Sequence, residues 1–137
     1  MLRLAAREAD IVNVNYDLRE GRINRTLVRT GMAEATDEKL GWIKAAAADR
    51  LDSIELSVTI FLATVTDDRD STAGGVASGL RSEPKEILEM PHFLIGTVEE
   101  LTEDLIQRRE RYGISYVIVP GEAAEALAPV VERLTGR

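Results

Sequence analysis

The chain has 137 residues, 45% hydrophobic and 30% charged, enough for one domain with a buried core. Its formal net charge of −7 argues against a protein that grips DNA or RNA by its phosphates, which needs a positive surface. It has no cysteine, which excludes disulfides and thiolate metal sites, and no apolar run of membrane-spanning length, so no membrane partner and a cytoplasmic location are expected.

Leu2, Ala5, Ala6 and Ala9 recur at helical spacing and predict a helix ending near Ala9. No Ser, Thr, Asp or Asn precedes it to bond the free N–H groups of its first turn, which suggests a piece of a larger fold. Ile11 to Asn15 is a short β-branched run and reads as a strand. Residues 16–35 have no clear period and read as a long loop, with a helical turn near Thr26 to Thr30. Thr36 is expected to cap a helix from Asp37 to about Asp49, burying Leu40, Ile43, Ala46 and Ala47. Ile54 to Val65 begins by alternating and ends nearly all apolar, as a strand entering a buried parallel environment does.

Thr66 to Ile95 reads as an excursion. It holds a small-residue stretch, Ser71 to Gly79, in which Gly74 to Gly79 lacks both the Lys-Ser/Thr of a phosphate loop and the spacing of a dinucleotide fingerprint and is better read as a connector or as small-residue helix packing. A short helix is expected after Ser82, with Pro84 in its first turn. Thr97-Val98-Glu99-Glu100 is a capping box, and the helix it starts runs through Leu101, Leu105, Arg108 and Tyr112 to a left-handed stop at Gly113. Ile114 to Val119 is a third strand, ended by Pro120. The last helix is expected to bury Ala124, Leu127, Ala128, Val131 and Leu134, with Pro129 bending it or marking its effective start. Strands separated by helices predict a parallel sheet with right-handed crossovers.

The run from Met1 to Val12 resembles a segment of the luciferase-like monooxygenase superfamily. So does Pro91 to Glu100 followed by Tyr112 to Val117, and the likeness is greatest to the branch that uses the deazaflavin coenzyme F420. The resemblance implies an α/β fold: the C-terminal part of a (β/α)8 TIM barrel, about three parallel strands with flanking helices, as one domain over residues 1–137. It implies an oxidoreductase using F420 or FMN for hydride transfer or monooxygenation of a small organic substrate. The family's glycine-rich turn, which helps hold the cofactor phosphate, is not in this chain; what remains of that site is the helix start at Met1, Leu2 and Arg3. Three strands cannot close an eight-stranded barrel, so the implied partner is a second copy or a missing N-terminal half, with the isolated chain impaired. The alternative is a non-catalytic half-barrel that acts as a self-associating module.

In such a barrel the working face lies at the carboxyl ends of the strands. Alternation directs Val12 and Val14 to the helices and Ile11, Asn13 and Asn15 to the barrel axis, with Asn15 and Tyr16 at the mouth. Those amides are candidates to hold a cofactor ring or a substrate carbonyl, or they satisfy backbone groups at a strand end. Arg19, Arg22, Arg25 and Arg29 are either a basic cluster for an anionic coenzyme tail or a solvated loop. His92, the only histidine, is a candidate proton donor near a reduced cofactor; the plainer reading is a packed residue with one backbone hydrogen bond. Arg81 is a candidate for an anion site. Trp42 is read as structural, and Glu99, Glu100, Glu103 and Asp104 as a solvated helix face.

Overall fold

The computed structural model describes residues 1–17 and 28–136. In chain order the elements are α1 (Leu2–Glu8), β1 (Ile11–Asn13), α2 (Ala33–Ala47), a 3-10 segment (Ala48–Ser53), β2 (Glu55–Thr59) and β3 (Leu62–Val65). They continue with α3 (Arg69–Leu80), α4 (Pro84–Glu89), β4 (Phe93–Gly96), α5 (Val98–Tyr112), β5 (Ile114–Ile118), a 3-10 turn (Gly121–Ala123) and α6 (Ala124–Leu134). The fold is mixed α/β with two open parallel sheets: β1-β2-β5, and β3 with β4.

Helices cover one face of the larger sheet. Val12, Val14, Leu56, Val58 and Ile114 pack against Ala6, Leu40, Ile43, Leu101, Leu127 and Val130 in one cluster. Each fully buried aliphatic side chain such as Ile43 or Leu101 contributes about 1.5–3 kcal/mol. The opposite face is open, with Ile11, Tyr116 and Ile118 50%, 44% and 40% exposed. On β1 this follows from alternation, and on β5 from the register shift opposite Leu56 and Ser57, which turns Tyr116 and Ile118 away from the face that Ile114 enters. On it the Asn13 side chain donates to Ser57 Oγ at 3.0 Å and to Thr59 Oγ1 at 3.3 Å.

The expected strand over Ile54 to Val65 divides. At the bend Ile60 N donates to Ile118 O and Phe61 N to His92 O, so successive amides serve different neighbours. Beyond the bend β3 pairs with β4, a wholly buried four-residue strand inside the stretch read as an excursion. Around this second sheet Tyr16, Val28, Ala73, Ala77, Ile87, Met90, Phe93 and Ile95 form another cluster.

Local signals decide most boundaries. Thr97 accepts from Glu100 N at 3.3 Å while Glu100 Oε2 accepts from Thr97 N at 2.8 Å, and Gly113 ends α5 at φ 73°. Pro84 stands at the first position of α4. The small-residue stretch is helical in α3 and buries Ala73 and Ala77.

Two expectations need correction. Helix α2 starts a turn early, from Met32, and Thr36 lies buried within it with its hydroxyl on Gly31 O at 3.4 Å. Helix α6 buries Leu127 and Val130 but leaves Val131 59% exposed, so its apolar face is turned from the expected one. Pro129 lies within that helix. Among the described residues no helix is long and apolar enough to cross a membrane.

Candidate functional site

The chemistry gathers at the carboxyl ends of β1 and β2, where open α/β sheets place ligands. Thr59 ends β2, and Asn15 and Tyr16 follow β1. His92, just ahead of β4, is fully buried with Nδ1 2.9 Å from Thr59 O. A carbonyl only accepts, so Nδ1 carries the proton and Nε2 presents a bare lone pair, with no partner among the described residues. Burial pushes the imidazole down to about 4; the Thr59 carbonyl opposes this, and the cations of Lys39 and Arg108 add to it. The ring is therefore neutral at pH 7.

Tyr16 meets His92 edge-on, with ring centroids 4.9 Å apart and planes at 86°. Phe61 stands 4.5 Å from Tyr16 and 5.9 Å from His92. The Tyr16 hydroxyl is buried without a partner among the described residues, and burial raises it to about 12. Gly31 closes over the rings. A Cβ there would lie 2.7 Å from Tyr16 Cδ1, 2.8 Å from Met90 Cε and 2.9 Å from His92 Cδ2.

Two cations brace this group. Arg108, 7% exposed, donates to Pro91 O at 3.1 Å and Phe93 O at 2.7 Å, clamping the backbone on both sides of His92. Burial lowers it to about 10, which leaves it charged at pH 7. Lys39 Nζ donates to Asn15 O at 2.7 Å and also to Thr30 O, while Asp17 N donates to Thr30 Oγ1 at 2.8 Å. Desolvation lowers the Lys39 ammonium, with Asp17 and Glu38 opposing.

The structure brings together Tyr16 and His92, with Asn15 joined through Lys39. Asn15 Oδ1 accepts from Tyr16 N at 2.8 Å, which is the strand-end role in backbone satisfaction. Asn13 lies on the open face instead. Met1 and Arg3 are exposed and Leu2 packs partly against the larger cluster. Arg81 is exposed and ends α3 in the left-handed conformation at φ 54°, so its position is that of a helix stop. Arg29 is exposed, while Arg19, Arg22 and Arg25 lie outside the described residues. With its proton held by Thr59 and its other nitrogen buried, His92 is not presented to a substrate as a proton donor.

Lys39, Gly31 and Arg108 are the bracing residues that sequence reasoning did not single out for the site. Arg108 carried a signal, since it falls on the apolar stripe of α5 with Leu101 and Tyr112. Among the described residues no group of His, Cys, Asp or Glu could hold a metal ion. Scanned against models of known protein families and against curated proteins, the chain matches none.

Proposed function

We propose that this chain is a sector of a (β/α)8 barrel of the luciferase-like type, serving an oxidoreductase that uses F420 or FMN on a small organic substrate. One observation carries the reading. Three parallel strands lie side by side in the order β1-β2-β5, while β3 and β4 pair in a second sheet, with helices on one face of the larger sheet and an open polar-and-apolar face on the other. In a closed barrel that open face is the interior. The Asn13–Ser57–Thr59 ladder, flanked by Ile11, Tyr116 and Ile118, suits a flat ring with polar edges. A bound flavin or deazaflavin supplies the hydride; the chain's own part is to orient the ring through this ladder and to keep water off it.

The residues fit the ring better than its phosphate tail. The helix start at Met1 has no side-chain capping bond, and α1 has only 7 residues. Three strands do not close an eight-stranded barrel, so on this reading the cofactor is held fully only once further strands, from a second copy or from an N-terminal half, complete it. Half-exposed apolar side chains beside open strand edges favour such association.

Titration with oxidised and reduced F420 and FMN, with sedimentation run at the same concentrations, tests the reading. Cofactor binding by an associated species supports it. A monomer at all concentrations that binds neither cofactor overturns it. A second reading, a non-catalytic self-associating module, is favoured by the closure of the His92 pocket; it predicts association without cofactor binding.

A further inference from the structure

The crevice between α4 and α5 holds charge that the barrel reading leaves unused. Arg69, Lys85, Arg108 and Arg111 line a cavity of about 260 Å3, against two carboxylates, Glu89 and Asp104. The outer cations have partners: Lys85 lies 3.6 Å from Glu89, Arg111 2.6 Å from Asp37, and Arg69 2.9 Å from Asp104 and 4.0 Å from Glu100. Arg108 differs. It is buried, its hydrogen bonds go to two main-chain carbonyls, and the carboxylate one turn back, Asp104, is already bridged by Arg69 through two oxygens. Tyr112 lines the same crevice, and its hydroxyl is buried without a partner among the described residues. The Arg111 guanidinium lies over the Tyr112 ring at 4.9 Å.

A buried cation whose acceptors are two main-chain carbonyls lies beside an orphan hydroxyl and below two rim cations held in exposed ion pairs, which a stronger anion can exchange. We propose that this crevice binds a compact phosphate-bearing anion, with Arg108 and Tyr112 as its floor and Lys85 and Arg111 as its rim. A tetrahedral phosphate offers oxygens to floor and rim together, which a planar carboxylate does less well. Because Arg108 also clamps the peptide around His92, the bound anion offsets the positive field at that ring. The site is independent of the barrel assignment, so either can fail alone.

The test titrates the full chain with inorganic phosphate at constant ionic strength set by chloride, reading thermal shift and the ring resonances of His92. Expected are saturable stabilisation, movement of the His92 resonances with the same midpoint, and a weaker response to succinate. Lys85→Gln and Tyr112→Phe, each checked for folding by circular dichroism, should weaken phosphate binding at least about fivefold. Equal responses to phosphate, succinate and chloride, unaltered in both variants, would overturn the site.

Discussion

Replacing Gly31 by alanine tests the closure over Tyr16 and His92. The added methyl would sit within 3.0 Å of three side chains. The Met90 methyl is the end of a flexible chain and can move. The two rings cannot move as easily: His92 is tied to Thr59 at 2.9 Å, and Tyr16 is wedged between His92 and Phe61. Overpacking of this kind costs about 1–3 kcal/mol, and the rigid neighbours put this site toward the upper end. With a slope of about 2 kcal/mol/M, the urea midpoint should fall by about 1.2–1.5 M. Gly75→Ala is the matched control. That glycine lies within α3 with nothing inside 4 Å of an added Cβ, so the same change should stabilise by about 0.5–1 kcal/mol. Equilibrium urea melts of the two variants should move in opposite directions, and a Gly31→Ala midpoint at or above the parent's refutes the packing argument.

Acid should weaken the fold through His92. Its folded value of about 4 lies below the unfolded 6.5, so the unfolded chain takes up the proton first as pH falls. Stability from this group is full above 6.5 and is lost between 6.5 and about 4, a change of about 3 kcal/mol that His92→Phe should flatten in melts across that range. Arg108→Met frees the buried carbonyls of Pro91 and Phe93 and should cost about 2–4 kcal/mol by denaturant melt, with Arg108→Lys recovering only part of it. Thr97→Ala removes the cap of α5 and should cost about 1 kcal/mol by the same measurement.

The sequence made those parts of the fold legible that rest on neighbours in the chain. The capping box at Thr97, the glycine stop at Gly113 and the proline start at Pro84 all act within a single turn. The alternation of Ile11 to Val14 foretold which side chains face the helices, because a strand has a fixed period of two. Strand β4 was hidden because its four residues are buried on every side and carry no alternation. Helix α2 begins without a polar cap, so Thr36 was the nearest capping signal and misled by a turn. In the candidate site Tyr16 and His92 were visible as residue types. Lys39 and Gly31 were not, since their roles come from the approach of α2 to the chain beyond β1.

The bend at Ile60 and Phe61 has a kinetic and cooperative consequence. One extended backbone is a central member of one sheet and, a few residues later, a member of the next. Peeling β4 away unmoors the shared strand just where Ile60 meets β5, and losing β5 frees it just before it reaches β4. Amide exchange in the two sheets should therefore report a common opening event, so that the two apolar clusters melt as one foldon.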